Sequence, residues 1–353
     1  MGSTPKPRRK RPKLLVQDVR VPGEPRSYPV VVGQTCLSRI GSELRQRHPL
    51  ASCVALVSDT NVMPLYGERV TKSLEAEGFQ VVAIEIGAGE VNKTPACLLE
   101  VVDKMLHAGL GRRDAVVALG GGVVGDLTGL AAALFMRGIA LIQCPTSLLA
   151  QVDASVGGKV AVDLPSGKNL LGAFHFPLAV LIDPEVLGTL PDREMTSGLA
   201  EMLKHGALFS VDHFNDAVAC ADAVYERDVT VLARLVATSV ALKAACVGRD
   251  PWEKGEAGKG RVVLNLGHTL GHAIESASDY ALSHGAAVGL GMRAAARLSE
   301  RRGLAAEGFE QQMVEALTKL RLPTDLDAWL CGERREAVER ALMHDKKRAA
   351  GKV

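Results

Sequence analysis

A two-part chain is predicted: an α/β first half built on a parallel sheet, followed by a mostly α-helical second half. Short β-branched runs alternate with amphipathic helical segments up to about residue 183, and from Pro184 the β signature gives way to helix-favouring composition. Length agrees, since 353 residues exceed what one hydrophobic core usually organises. Domain limits of 27–183 and 184–353 follow, after an N-terminal tail over 1–26.

The tail is expected to be disordered. Six basic residues fall within its first thirteen positions (PKPRRKRPK), with proline among them and no apolar run behind, so neither a signal peptide nor a membrane anchor is expected. Such a run supplies charge without specific readout, which favours a solvated tail over nucleic-acid or membrane attraction. The whole chain carries a net charge of +2, with 47% hydrophobic and 23% charged residues, ordinary globular material. No uninterrupted apolar stretch is long enough to suggest a spanning helix. The seven cysteines, Cys36, Cys53, Cys97, Cys144, Cys220, Cys246 and Cys331, are odd in number and scattered without a C-x-x-C pair. That argues against a disulfide framework or zinc knuckle and fits a reducing, cytoplasmic setting.

From residue 27 the strands read in order as SYPVVVG (27–33), CVALVSD (53–59), QVVAIEI (80–86), DAVVALG (114–120) and ALIQCPT (140–146). Their nearly continuous apolar character suits a parallel sheet covered on both faces. Between them, TPACLLEVVDKMLHAGL (94–110) has apolar residues at three- and four-residue spacing, as an amphipathic helix requires. The strand ending at Gly120 runs into a glycine turn in which Gly120, Gly122 and Gly125 satisfy G-x-G-x-x-G. Bare backbone there lets N–H groups approach a pyrophosphate at a helix N-terminus. No acid follows about twenty residues later, so the ordinary dinucleotide fingerprint is incomplete, and Asp59 is the alternative ribose partner.

Three further segments carry candidate chemistry. ASVGGKVAVDLPSGKN (154–169) reads as a glycine-rich loop with Lys159, Lys168 and Asn169, either an anion site or a solvated loop. In GLAEMLKHG, Glu201 and Lys204 share a helix face among small apolar residues, which points to a buried acid rather than a surface ion pair. LNLGHTLGHAIE (264–275) then sets His268 and His272 four apart, with His284 following. On a helix both imidazoles can reach one ion, and local pattern alone selects His268, His272 and Glu275 as ligands, with Asn265 continuing that face. Packed core histidines are the competing reading.

Taken together, GGGVVGDLTGLAAALFMRG, PTSLLAQVDASVGGKVAVDLPSGKNLLGAFHFP, LPDREMTSGLAEMLKHG, RVVLNLGHTLGHAIE, the HG of LSHGAAVGLGM, and MHDKK resemble the 3-dehydroquinate synthase family of sugar phosphate cyclases, in the family's order over residues 27–347. The resemblance implies a Rossmann-like, NAD-binding α/β N-terminal domain, a mostly α-helical metal-binding C-terminal domain, and a homodimer. It implies conversion of 3-deoxy-D-arabino-heptulosonate 7-phosphate, a phosphorylated sugar acid, to 3-dehydroquinate and phosphate. NAD⁺ would transiently oxidise a ring alcohol, phosphate would leave by β-elimination, and re-reduction, ring opening and an aldol closure would follow.

By position, the resemblance makes Glu201, His268 and His284 ligands of zinc or cobalt, which displaces the local-pattern set. Asp153, Lys159, Asn169, Lys204, Lys243, Arg261, Asn265, His272 and Lys346 match substrate-contacting positions, with Lys159 and Arg261 on phosphate and Arg137 offered to the partner subunit's phosphate site. Asp59, Asn61, Glu90, Lys93, Gly121, Gly122, Asp126, Thr146, Ser147, Leu149, Lys168 and Thr189 match NAD-contacting positions.

Three departures stand out. Ala286 replaces the family's glutamate after the third ligand, removing a candidate outer partner for a metal-bound histidine. DPWEKGEAGKG (250–260) is longer and richer in glycine than the family's acidic turn, and the chain stops at Val353 soon after DKK. Aminodehydroquinate synthases share nearly all these residues. 2-Deoxy-scyllo-inosose synthase has glutamate where Asn265 stands, and sedoheptulose 7-phosphate cyclases depart from GHTxGHA. A metal-dependent polyol dehydrogenase would share the plan but would not need Lys159, Lys168 and Arg261.

Overall fold

The computed structural model describes residues 15–21, 26–255 and 260–344. Among the described residues nine strands form two sheets: β1 (Leu15–Val21), β2 (Arg26–Val32), β3 (Cys53–Asp59), β4 (Gln80–Ile86), β5 (Ala115–Gly120), β6 (Ala140–Pro145), β7 (Lys159–Leu164), β8 (Gly167–Phe174) and β9 (Ala179–Ile182). The large sheet has the order β1-β2-β9-β6-β5-β3-β4, parallel throughout except for the β1–β2 edge. The central strands β3 and β5 are buried almost end to end, whereas edge strand β4 alternates buried and exposed positions. That contrast follows from cover: a central strand needs apolar residues on both faces, an edge strand tolerates polar ones.

The α-helices among the described residues of the first half are α1 (Ile40–Arg47), α2 (Glu68–Glu75), α3 (Pro95–His107) and α4 (Gly122–Leu134). After β9 the chain is helical: α5 (Asp192–Phe209), α6 (Val211–Ala219), α7 (Ala221–Tyr225), α8 (Val229–Arg249), α9 (His268–Ala277), α10 (His284–Arg301), α11 (Phe309–Lys319) and α12 (Gly332–His344). α8 is long and apolar enough to cross a membrane by composition, yet Leu232, Leu235, Val236, Val240 and Val247 on it are fully buried in the core.

Three differences from the sequence reading have physical causes. Strand β1 lies inside the stretch assigned to a disordered tail. Asp18 and Arg20 interrupt its apolar run, a pattern that an edge strand tolerates but that hides it from a hydrophobicity scan. The glycine-rich segment after Ala154 is a β7–β8 hairpin as well as a loop, pinned to α4 where Gly129 meets Val160. The α/β and helical halves also share a core: Val30, Val32, Val180 and Ile182 of the sheet pack with Leu199, Leu203, Leu235 and Val236 of the helices. The two halves are therefore joined through one continuous hydrophobic core.

Candidate active site

The glycine turn forms where predicted, at the carboxyl end of β5. Its glycines serve two purposes. A Cβ on Gly120 would strike the Val124 side chain at 2.6 Å, so packing demands that glycine, and one on Gly125 would press on the Gln143 side-chain end at 2.9 Å. At Gly121 and Gly122 an added Cβ would make only ordinary contacts, 3.5 Å to Ser147 Oγ and 3.6 Å to Ala154 Cβ. Nothing in the protein's own packing requires those two to be bare, and an open cradle at the start of α4 suits a pyrophosphate.

Around this turn lie the residues matched to NAD. Asp59 Oδ1 accepts from the Asn61 and Val62 N–H groups, both at 2.9 Å, which sharpens the turn after β3. Thr146 donates its N–H to Gly120 O at 2.9 Å, Ser147 Oγ accepts from Ala150 N at 3.2 Å, and Leu149 follows them. The Thr189 hydroxyl lies 2.7 Å from Tyr66 Oη across the mouth of the sheet. Lys93 is buried and bonds both Asp126 and Asn169 Oδ1 at 2.6 Å. Asn169 is held at φ 56 by an N–H bond to Asp163. Lys168 spans the cleft, 3.0 Å from Glu275 and 3.8 Å from Glu90.

On the helical side, α5 presents Glu201, Lys204 and His205 in its buried interior. Both Glu201 carboxylate oxygens are fully buried and lack a hydrogen bond among the described residues, although the Lys204 ammonium forms an ion pair with Oε2. Burial alone would raise this carboxyl's pKa, but Lys204 and His268 hold it well below the carboxylate range. Oε1 faces two imidazoles, His268 Nε2 at 3.5 Å and His284 Nε2 at 3.4 Å. Donors around a tetrahedral ion with bonds of ~2.1 Å stand roughly 3.4 Å apart, so each imidazole already stands from Glu201 Oε1 at the spacing of two donors on one ion.

The far nitrogen of each histidine is also engaged. His268 Nδ1 lies 3.2 Å from Leu266 O, and His284 Nδ1 lies 3.4 Å from Glu275 Oε2. With the Nδ1 proton given to an oxygen, each Nε2 lone pair points inward, as outer partners of metal-bound histidines arrange it. The cluster therefore fits a divalent zinc- or cobalt-type ion.

Of the local-pattern set, Glu275 turns to His284 and Lys168, while the ligand atoms of His268, His272 and His284 lie within 4.8 Å of one another, as do those of Asp153, Glu201 and His205. Glu275 supplies the carboxylate that Ala286 cannot, and Ser283 Oγ caps α10 by accepting from Ala286 N at 3.4 Å. Asn265 does not continue the helix face, because Gly267 at φ 78 breaks the chain between the turn Gly260–Asn265 and α9. His272 remains in the cluster, its ring 5.2 Å from His268 and 5.7 Å from His284.

Next to the cluster, Lys243 of α8 pairs with Asp153. Burial pushes Lys243 down to about 8 against the pull of Asp153, with Arg261 adding repulsion. Asp153 is held well below its usual range, because the nearby Lys243 overcomes the effect of burial. Sequence reasoning missed His205, fully buried with Nε2 3.6 Å from Asp153 and Nδ1 2.7 Å from Ser239 Oγ. Its place one turn after Glu201 on the same helix face was the available signal. Arg261 is buried, donating to Gly157 O at 2.8 Å, and Lys159 pairs with Glu253. Arg137 is exposed beyond the far end of α4, ~20 Å of helix from the glycine turn, and does not join this chain's cluster. Lys346 lies outside the described residues.

An open-sheet nucleotide fold whose cleft faces a buried carboxylate–bis-histidine centre ringed with lysines defines a class of enzyme that combines a dinucleotide with a divalent metal. Comparison narrows the class. Residues 83–197 match the profile of the 3-dehydroquinate synthase N-terminal domain and residues 198–348 that of its C-terminal domain, so the chain belongs to the 3-dehydroquinate synthase family.

It is 43% identical to 3-dehydroquinate synthase of Symbiobacterium thermophilum over 94% of this chain and 90% of that one. Against the enzyme of Pelobacter propionicus it is 46% identical over 84% of this chain and 82% of the relative. Among solved structures, 2-deoxy-scyllo-inosose synthase complexed with carbaglucose-6-phosphate, NAD⁺ and Co²⁺ superimposes with a TM-score of 0.81 at 27% identity, covering 96% of this chain and 89% of the other. The 2-epi-5-epi-valiolone synthase of Streptomyces hygroscopicus, with NAD⁺ and Zn²⁺ bound, does so with a TM-score of 0.80 at 29% identity, over 92% and 88%.

Proposed function

We propose that this site catalyses the 3-dehydroquinate synthase reaction, a lyase-type conversion of 3-deoxy-D-arabino-heptulosonate 7-phosphate to 3-dehydroquinate and phosphate. The observation that carries the reading is Glu201, a buried carboxylate facing His268 and His284 across a cleft from the bare Gly121–Gly122 turn. Relatives that bear this activity's name, 42% to 46% identical, support it.

When bound, NAD⁺ would accept and return a hydride, and a divalent ion held by Glu201, His268 and His284 would act as a Lewis acid on substrate hydroxyls. Lys159 and Arg261 form the cationic end of the cleft and suit the phosphate. Lys204 and Lys243, desolvated beside their carboxylates, suit the substrate carboxylate and hydroxyls, and Asp153, Asn169, Asn265 and His272 would complete the substrate contacts. Asp59, Asn61, Glu90, Lys93, Asp126, Thr146, Ser147, Leu149, Lys168 and Thr189 would surround the dinucleotide.

A homodimer would give Arg137, exposed on left-handed backbone at φ 71, a role at the phosphate site of a second copy. The seven free cysteines support a cytoplasmic setting.

The test supplies purified protein with NAD⁺, zinc or cobalt, and a panel of seven- and six-carbon sugar phosphates, following phosphate release and product mass. His268→Ala should lose metal and turnover together. Full metal content in that variant would remove His268 from the ligand set, and steady NADH accumulation without phosphate release would replace the cyclase with a dehydrogenase.

A further inference from the structure

The segment that departs from the family's acidic turn is built onto the cationic end of the cleft. Asp250 fixes its base by accepting from the N–H groups of Lys254 at 2.8 Å, Gly255 at 3.1 Å and Arg261 at 3.0 Å. Trp252 stands edge-on to Phe174 and Phe176, with centroids 5.2 and 5.4 Å away, which clamps the segment to the β8 end of the hairpin. Between these anchors Glu253 takes left-handed backbone at φ 51, a conformation that costs a non-glycine residue and persists where its surroundings impose it. The result is a carboxylate delivered onto Lys159, 94 residues away in sequence. The same carboxylate interacts through charge with buried Arg261. Glu253 thus places an anion at the two cations to which the proposed function gives the phosphate.

We propose that Glu253 is an internal anion that occupies the Lys159–Arg261 site and must be displaced by the substrate's phosphate, setting how strongly phosphorylated ligands bind. The inference rests on the cyclase reading for the identity of the substrate, though not for the anion site itself. A dianionic phosphate outcompetes one carboxylate on two cations, whereas a monoanion or a neutral sugar gains too little to do so. Glu253 therefore selects for the phosphorylated substrate and lowers affinity for it.

The experiment compares the full-length protein with Glu253→Gln, an isosteric change that keeps the segment's contacts, using calorimetric titration with inorganic phosphate and then KM for the sugar phosphate. Exposed ion pairs are weak, and removing the carboxylate also removes a like charge beside the incoming anion. Phosphate should bind roughly three- to tenfold tighter to Glu253→Gln, with KM falling in parallel. In a Lys159→Met background that gain should largely vanish. Unchanged phosphate affinity in Glu253→Gln, or an equal gain without Lys159, would overturn the proposal. Tighter phosphate binding without turnover of any sugar phosphate would sink the cyclase reading and leave the internal anion standing; turnover with unchanged phosphate affinity would do the reverse.

Discussion

Gly285 is where the metal centre depends on helix contact, and Gly285→Ala tests that dependence. A Cβ at this second residue of α10 would stand 2.4 Å from Ser197 Cα, 2.5 Å from its O and 2.8 Å from its C. All three are backbone atoms of α5, so no rotamer change relieves the clash. The helices must separate by roughly 1 Å, at an overpacking cost of about 1–3 kcal/mol. Separation also stretches the buried bond from Gly285 N–H to Ser197 Oγ, now 3.0 Å. His284 precedes Gly285 and Glu201 lies one turn beyond Ser197, so the shift pulls apart two proposed ligand atoms now 3.4 Å apart. Metal–donor bonds of ~2.0–2.2 Å leave little slack, and affinity should fall about 10- to 100-fold. Zinc competition against a chromophoric chelator measures that loss. Melting curves with and without zinc measure the rest: a midpoint lower by a few degrees in the apo protein, and a smaller rise on adding metal. If Gly285→Ala kept wild-type zinc affinity, the α5–α10 contact would not set the ligand geometry.

Two further outcomes follow from single residues. Gly122→Ala meets only an ordinary contact at 3.6 Å and gains helix propensity, so thermal stability should hold or rise while NAD⁺ binding weakens at least about tenfold; unchanged binding would remove the cradle from the cofactor site. His213 is buried with neither ring nitrogen hydrogen-bonded among the described residues, and burial pushes its pKa from 6.5 down to about 4. The unfolded chain therefore takes up this proton first as pH falls, and the associated stability, complete above about pH 6.5, is lost toward pH 4. The loss amounts to up to about 3 kcal/mol. His213→Leu should flatten that slope in urea titrations at pH 5 and pH 8, and parallel losses in both proteins would show that His213 does not carry it.

Much of the fold was legible because periodicity reports burial directly. CVALVSD coincides with β3, since a strand covered on both faces has to be apolar throughout, and QVVAIEI coincides with edge strand β4, whose Gln80 and Glu85 fall at exposed positions. β1 was hidden because an edge strand can afford Asp18 and Arg20. β7 and β8 were hidden because ladder hydrogen bonds leave no mark in a segment whose glycines also suit a loop. The glycine turn was legible as a turn. Its division into packing and ligand-facing glycines was not, because that depends on how Val124 turns back onto Gly120 and on Gln143 approaching from β6.

The metal centre shows the same limit from another side. Helical spacing shows which residues share a face of one helix, and on that evidence His268, His272 and Glu275 belonged together. The proposed coordination sphere draws instead on different elements, the middle of α5 and the first residues of α9 and α10, and no period within one segment encodes their meeting. What does encode it is the run of small residues around the histidines. A Cβ on Gly291 would stand 1.9 Å from Gly267 O, and one on Gly285 would run into Ser197, so α9, α10 and α5 touch backbone to backbone only because these positions are glycine. That proximity brings His268 and His284 within reach of the same carboxylate oxygen. The glycines of LNLGHTLGHAIE and HGAAVGLGM are therefore as much a part of the site's specification as its imidazoles. A substitution at one of them should damage metal binding without touching a ligand.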